Sequence, residues 1–222
     1  MTHSDDDGLV LPPKLAPAHV VIMPILAKAK DPDAVLAYCN TLADELRRQR
    51  FDGRPVRVEL DARDLRGGDK AWQWIKRGVP VRLEVGQRDM DQDAVFVGRR
   101  DLPPKQKQGI PRAEFLTKLP ALLQEIQDGL LKRAEAYCDA NTHEIDDREA
   151  FYRFFSADGA ADSAMRGGFA LTHWSGDPAV ESKVKEDLGV TVRCIPLEKS
   201  SPGTCPFTGD PSPQRVVWAK SY

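Results

Sequence analysis

Residues 18–25, AHVVIMPI, form an uninterrupted apolar run of the length of a β-strand. Apolar residues at successive positions indicate a strand buried on both faces, which is typical of a parallel sheet. Asp31 follows, and Asp is a residue type that caps helices. Pro32 comes next, and Pro favours the first helical position. Apolar residues then recur at spacings of four, three and four up to Leu46, which predicts an amphipathic helix that ends near residue 50.

Downstream of this helix, strand and helix patterns continue to alternate. Expected strands cover residues 55–63, 79–85 and 94–98, and a short helix covers residues 69–77. The last two strands are separated by the turn-rich residues 86–93, which predicts a hairpin. Strands joined through helices, followed by a hairpin, predict an α/β fold with a mixed sheet.

A second group of elements begins with a long helical pattern over residues 112–142. We then expect a helix at residues 146–155, a strand at 167–174, a helix at 178–189 and a strand at 190–197. A loop rich in Gly, Pro and Ser follows at 198–214, and a final strand at 215–220. This order predicts a small second α/β layer that the long helix links to the first.

The composition excludes several classes of protein. The chain has 222 residues, 41 % hydrophobic and 30 % charged, which is typical of one or two soluble domains. No apolar run reaches the ~18–20 residues of a membrane helix, and the acidic start lacks the features of a signal peptide. Four dispersed cysteines are too few for a disulfide framework. We therefore expect a cytoplasmic protein with reduced thiols and no membrane partner.

The formal net charge of −2 conceals a basic segment. Residues 47–112 carry 17 Lys and Arg against 10 Asp and Glu, a net charge of +7 that leaves −9 for the rest of the chain. A basic excess confined to one segment is typical of a surface that meets phosphates. The alternative is that this segment is simply rich in surface residues.

Within that segment, residues 70–89 (KAWQWIKRGVPVRLEVGQRD) combine aromatic and basic side chains. Trp72 and Trp74 supply flat faces next to Lys76 and several other cations, and unpaired RNA bases are recognised by that combination. The alternative is that one Trp faces the core and the cations form a solvated rim.

Other candidate sites are weaker. His173, beside Trp174 and Asp177, has the residue type of a catalytic base, but a single His at a strand end is more often a hydrogen-bonded structural residue. The acidic residues 5–7 have the chemistry of a cation site, but an acidic run near a terminus is usually solvated, and we expect residues 1–17 to form a tail or hinge. We find no cluster of acid, base and nucleophile, and none of the standard phosphate-loop or hydrolase motifs.

Several stretches resemble, in collinear order, the C-terminal half of prolyl-tRNA synthetases of the archaeal/eukaryotic-like type. They are GLVLPPKLAP (8–17), VVIMPI (20–25), GVPVRLEVGQRD (78–89), GGFALTHWSGDP (167–178), VRCIPLE (192–198) and RVVWAKSY (215–222). The resemblance implies a class II anticodon-binding domain, a mixed sheet flanked by helices, followed by a small α/β C-terminal domain. The implied boundaries are 1–17 for a junction from the catalytic core, 18–120 for the anticodon-binding domain and 121–222 for the C-terminal domain with its linking helix.

The resemblance also implies site residues. In the family, the anticodon-binding domain reads the two guanines shared by all proline anticodons, and its basic positions correspond to Arg82, Arg88 and Lys105. A guanidinium fork suits guanine acceptors or a phosphate. Trp72, Trp74 and Lys76 complete the expected RNA-binding set, and the terminal tyrosine, here Tyr222, approaches the active site in the intact enzyme.

Two of the departures from the family pattern concern expected site residues. A glutamate suited to guanine is replaced by Ile75, and an aromatic residue four positions earlier is replaced by Ala71. The four cysteines of a family zinc site correspond here to Ser175, Val180, Cys205 and Thr208, so we expect that zinc site to be lost.

We interpret the chain as the tRNA-binding and C-terminal region of a proline-tRNA ligase. The catalytic core, with its ATP and Mg²⁺, would lie outside this chain, so we expect no catalytic residues, cofactor or metal here. The expected partners are the anticodon stem-loop of proline tRNA and a class II catalytic domain in cis or in trans. The alternative is a stand-alone paralogue that lost anticodon reading and serves as a protein-interaction or regulatory module, which the replacements at Ile75 and Ala71 favour.

Overall fold

The computed structural model describes residues 2–27, 29–156, 168–198 and 200–221. The chain divides into two compact units, unit 1 (Met1–Ala134) and unit 2 (Glu135–Tyr222). The elements that begin in unit 1 are β1 Val20–Pro24, α1 Pro32–Arg47, β2 Arg50–Phe51, β3 Arg54–Pro55, β4 Val58–Leu60, α2 Gly67–Lys76, β5 Val81–Val85, α3 Gln87–Asp91, β6 Ala94–Arg99, β7 Lys107–Pro111 and α4 Arg112–Asn141. Those of unit 2 are β8 Thr142–Glu144, α5 Arg148–Ser156, β9 Phe169–His173, α6 Pro178–Leu188, β10 Val190–Cys194, β11 Gly203–Thr204, β12 Pro211–Ser212 and β13 Arg215–Lys220.

Unit 1 contains a five-stranded mixed sheet in the order β4-β1-β5-β6-β7. Strand β1 runs parallel to β4 and β5, while β5, β6 and β7 pair antiparallel. The predicted mixed sheet and the predicted β5–β6 hairpin are confirmed. The sequence did not predict the short helix α3, inside the connection expected to be a loop, the edge strand β7, or the two-residue strands β2 and β3, which pair with each other.

The two faces of this sheet are covered unequally. Alternate residues of β1, β5 and β6 pack with α1 and α4 in the main apolar core, which includes Ile22, Leu83 and Phe115. On the opposite face, Val21 and Met23 pack against α2. Beyond α2, this second face continues onto β6 and β7, where its side chains are partly exposed.

Helix α1 begins as the sequence predicts, since the Asp31 Oδ1 accepts a hydrogen bond from the Ala34 N–H at 2.9 Å. Residues 5–11, in contrast, are not a free tail. The Leu9 N–H donates to the Lys76 carbonyl at 3.0 Å, and the buried Arg100 donates from Nε to the Leu9 carbonyl at 2.8 Å. Arg100 also forms an ion pair with Asp5. The tail interpretation is therefore wrong for these residues, because their polar groups have specific partners on unit 1.

Unit 2 has a four-stranded sheet in the order β10-β13-β9-β8. Strand β13 pairs antiparallel with β9 and β10, and β8 pairs parallel with β9. Helices α5 and α6 supply apolar side chains to a core centred on Trp218, whose ring meets Phe151 edge to face at 5.6 Å. Within the described residues, no helix is long and apolar enough to cross a membrane.

Candidate nucleic-acid interface

Helix α2 presents one tryptophan to solvent. Trp72 is 42 % exposed, and the ammonium of Lys76, one turn later, lies 5.5 Å from its ring centroid. Both side chains occupy the side of the helix that faces away from the sheet. An exposed indole beside a cation is able to stack a base and attract its phosphate.

The second tryptophan of α2 is held by the protein. Trp74 is half-buried, and its Nε1–H donates to the Asp61 Oδ2 at 2.7 Å. Hydrogen bonds from Arg63, together with the one from Trp74, hold the pKa of the Asp61 carboxyl well below its ordinary value. The Arg77 guanidinium lies 4.7 Å from the Trp74 ring centroid. Trp74 therefore fixes α2 against the end of β4, and its N–H is not free for a ligand.

Three other α2 residues face the sheet. Lys70, Ala71 and Ile75 are 2 %, 7 % and 5 % exposed. The Lys70 Nζ donates to the Asp61 carbonyl at 3.1 Å, beyond the end of β4. Because Ala71 and Ile75 are buried, neither replacement noted in the sequence leaves an exposed apolar group on the helix.

Arg82, on β5, is the most unusual residue of unit 1. It is 2 % exposed, and its Nε and Nη1 have no hydrogen-bond partner among the described residues. Burial, and secondarily the charge of Arg100, lower the pKa of Arg82 to about 10. The guanidinium lies against Gly98, the residue opposite Arg82 in the β5–β6 register, where an added Cβ would meet Nη2 at 3.3 Å. A buried guanidinium without an acceptor is costly, so its presence points to an anionic or carbonyl-bearing ligand.

The strands beside Arg82 form a surface that we call the open face, defined as Glu84, Phe96, Lys107 and Gly109. Register pairs Glu84 with Phe96 and Phe96 with Gly109, and Lys107 forms an ion pair with Glu84 across Gly98. Sequence reasoning missed these residues. The alternation in β6 separates its residues into two faces, but which side chains of β5 and β7 lie next to each face is known only from the strand pairing.

The remaining predicted RNA-binding residues lie around this surface. Arg88, on α3, is exposed, makes no side-chain hydrogen bond or ion pair with a described residue, and borders the same depression as Phe96. Lys105 is exposed in the turn between β6 and β7. Tyr222 lies outside the described residues.

The residues at the family's zinc-ligand positions do not fit a zinc ion. Val180 offers hydrocarbon and packs in the core of unit 2, and no group of three His, Cys, Asp or Glu able to hold a metal occurs in the described parts of the chain. Burial acts to raise the pKa of the Cys205 thiol, but hydrogen bonds from the Thr208 hydroxyl and nearby backbone amides leave that pKa below its ordinary value.

His173 has a structural environment. It is 4 % exposed, its Nδ1 lies 2.9 Å from the Asp146 Oδ1, and its Nε2 lies 3.0 Å from the Ser201 carbonyl. The ring is also covered by Gly203, where an added Cβ would come within 2.4 Å. Both ring nitrogens have partners and the ring is enclosed, so His173 connects β9 to the β8–α5 connection through Asp146 and to the loop after β10 through Ser201.

Comparison with known proteins agrees with this geometry. The family described as "Anticodon binding domain" matches residues 19–122, and the family described as "Prolyl-tRNA synthetase, C-terminal" matches residues 158–222. The chain corresponds to the anticodon-binding domain and the C-terminal region of prolyl-tRNA synthetases. The resemblance and the fold class inferred from the sequence are both confirmed.

Relatives in this family are longer than the chain. It is 58 % identical over 226 residues to proline–tRNA ligase 2 of Anaeromyxobacter dehalogenans, and 42 % identical over 224 residues to proline–tRNA ligase of Protochlamydia amoebophila. Each match covers 100 % of the chain and 44 % of the relative. The crystal structure of prolyl-tRNA synthetase from Cryptosporidium parvum with L-proline and AMP superposes with a TM-score of 0.79 at 29 % identity, over 100 % of the chain and 44 % of that protein. The chain thus spans less than half of the length of these prolyl-tRNA synthetases.

Proposed function

We propose that the chain binds the anticodon stem-loop of proline tRNA and presents that tRNA to a class II catalytic domain, in cis or in trans, in the cytoplasm. The observation that carries the proposal is Arg82, a buried guanidinium with unpaired N–H groups beneath a partly exposed strand surface. RNA supplies the acceptors that such a group lacks, in its phosphates and in the O6 and N7 atoms of guanine. In this proposal the anticodon-binding domain comprises residues 18–120, and residues 1–17 and 121–222 are the junction and the C-terminal domain.

Each predicted RNA-binding residue has a role that follows from its position. Arg88 and Lys105 are exposed cations that neutralise backbone phosphate. Trp72, with Lys76 above its ring, stacks an unpaired base. Trp74 positions α2 through its hydrogen bond to Asp61. The ATP and Mg²⁺ of the aminoacylation reaction belong to the catalytic domain.

A binding titration tests the proposal. The 222-residue chain is titrated with proline tRNA and with a variant in which the two anticodon guanines are replaced. We expect the variant to bind more weakly by about 1–3 kcal/mol for each lost base contact. Equal affinities for the two RNAs would refute anticodon reading and would favour the paralogue that acts as a protein-interaction or regulatory module.

A further inference from the structure

The open face places a carboxylate, an ammonium and an aromatic ring on neighbouring strands. Glu84 and Phe96 are directly paired in the β5–β6 register, and Lys107 reaches Glu84 from β7. Their side chains project from the same side of the sheet as Arg82, because residues two apart on a strand share a face. None of the three belongs to the set of basic and tryptophan residues discussed for RNA binding above.

The Glu84–Lys107 ion pair keeps hydrogen-bonding capacity for a ligand. The side chains are 23 % and 24 % exposed, so both are partly shielded and both remain reachable. A carboxylate has about four acceptor positions, and Lys107 uses one oxygen, Oε1. The ammonium likewise has three donors, one of which is used by Glu84. Acceptor and donor therefore lie side by side at the surface.

Phe96 supplies a flat apolar surface next to this pair. Its ring is half-buried, and the Lys107 ammonium lies 6.0 Å from the ring centroid. The residue opposite Phe96 on β7 is Gly109, which has no side chain to cover the ring. Phe96, Gly109 and Arg88 line a depression of ≈ 430 Å³. A planar base is able to stack on such a ring while its backbone faces the cation at the rim.

We infer that Glu84 and Lys107 determine specificity for guanine at one anticodon position, an inference that rests on the function proposed above. Guanine presents O6, N1–H and the N2 amino group in a row. Lys107 donates to O6, Glu84 accepts from N1–H and the amino group, and Phe96 stacks the base. No other RNA base has two adjacent ring-edge donors for a carboxylate. Ile75, buried and apolar, has no acceptor for these donors.

Inosine isolates this interaction, because it differs from guanosine only by lacking the N2 amino group of the base. The test measures Kd for a proline anticodon stem-loop and for two copies in which one or the other anticodon guanine is inosine. We compare the wild-type chain with Glu84→Gln, which keeps the shape of the side chain and turns one acceptor into a donor. Glu59→Gln is the matched control, since it makes the same change of charge at a residue that is exposed on the edge strand β4.

We expect the wild-type chain to bind the guanine RNA about tenfold tighter than one of the inosine RNAs, within the range of a good bidentate base contact. Glu84→Gln should bring these two affinities within about twofold, and Glu59→Gln should keep the wild-type ratio. A general electrostatic effect of removing a negative charge would change all affinities together and leave the ratio unaltered. Phe96→Leu should weaken binding to all three RNAs and preserve the ratio, which provides a second readout if Glu84→Gln folds poorly.

Two results would overturn the inference in different ways. If the wild-type chain prefers guanine and Glu84→Gln keeps that preference, Glu84 does not contact the base, although the proposed function stands. Failure of the wild-type chain to prefer the proline stem-loop over a scrambled loop would reject both the proposed function and the role of Glu84.

Discussion

Replacing Arg82 with methionine should stabilise the free chain while it weakens RNA binding. Methionine keeps a long apolar stem of similar reach but removes the guanidinium, of which Nε and Nη1 lack a partner among the described residues. Burial, with a further contribution from Arg100, lowers the pKa of Arg82 from 12.5 to about 10. That difference corresponds to about 3 kcal/mol against the charged side chain in the folded protein.

Part of that free energy should be recovered in the variant. Since the pKa of about 10 lies above neutral pH, Arg82 remains charged in the folded chain and its cost is present at pH 7. Exchange of a buried charge for an apolar side chain of similar volume is commonly neutral or stabilising by about 1–4 kcal/mol. We expect Arg82→Met to raise the free energy of unfolding of unit 1 by about 1–3 kcal/mol, and to weaken binding of the proline stem-loop about tenfold.

Hydrogen exchange in increasing urea, read on peptides from β5 and β6, measures unit 1 separately from unit 2. Arg99→Met is the matched control, because Arg99 makes two hydrogen bonds to Asp101. The Asp101 side chain is 6 % exposed, and removal of the Arg99 guanidinium leaves its carboxylate without that cation. The control should therefore be destabilised. If Arg82→Met loses protection as Arg99→Met does and binds RNA with wild-type affinity, Arg82 is a structural residue and the reasoning is refuted.

Two further predictions concern stability. Burial, and then the charge of Arg57, lower the pKa of His19 to about 4, below its ordinary value of 6.5, so the unfolded chain binds more protons between these values. Unit 1 should lose stability as pH falls from about 6.5 to 4, and urea midpoints of His19→Asn, which retains an acceptor, should depend less on pH over that range. Gly78 and Gly53 have φ of +73° and +72°, but a Cβ at Gly78 would meet the Leu9 carbonyl at 2.7 Å, while at Gly53 nothing lies within 4 Å. In thermal melts Gly53→Ala should cost about 1–2 kcal/mol and Gly78→Ala clearly more; equal losses would contradict this account.

The local periodicity of apolar residues was sufficient to predict most of the helices and strands. The apolar run at β1, the Asp31 cap and the helical spacing of α1 each depend on residues close in sequence, so they could be predicted without tertiary contacts. Strand β7, with the sequence KQGIP, has neither alternation nor β-branched residues apart from one Ile, and its pairing with β6 is what makes it a strand. Helix α3 has five residues, too few for a helical period to be visible.

The site was less predictable for the same physical reason. The alternation in VRLEV places Arg82 and Glu84 on the side opposite Leu83, and such alternation is typical of a strand with one polar face. Their actual burial depends on which residues of β6 and β7 lie opposite them, and that is a long-range property of register. The sequence motif thus identified Arg82 but not its burial, and it left Glu84, Phe96 and Lys107 unassigned.

The basic excess of residues 47–112 also has a more specific meaning in the structure than in the sequence. Six of its 17 cations form ion pairs with carboxylates, and three more donate to backbone carbonyls: Arg47, Arg63, Arg99, Arg100, Lys107 and Arg112, then Arg50, Arg57 and Lys70. The other eight cations make no ion pair with a carboxylate and no side-chain hydrogen bond to a carbonyl of any described residue. Five of these eight are Lys76 on α2, Arg77 directly after α2, Arg82 on β5, Arg88 on α3 and Lys105 after β6. Net charge alone would spread the attraction for RNA over the whole segment. Among the described residues, internal pairing leaves Arg82 and Arg88 without a carboxylate or carbonyl partner beside the open face, and in the proposed function these two cations are available to RNA.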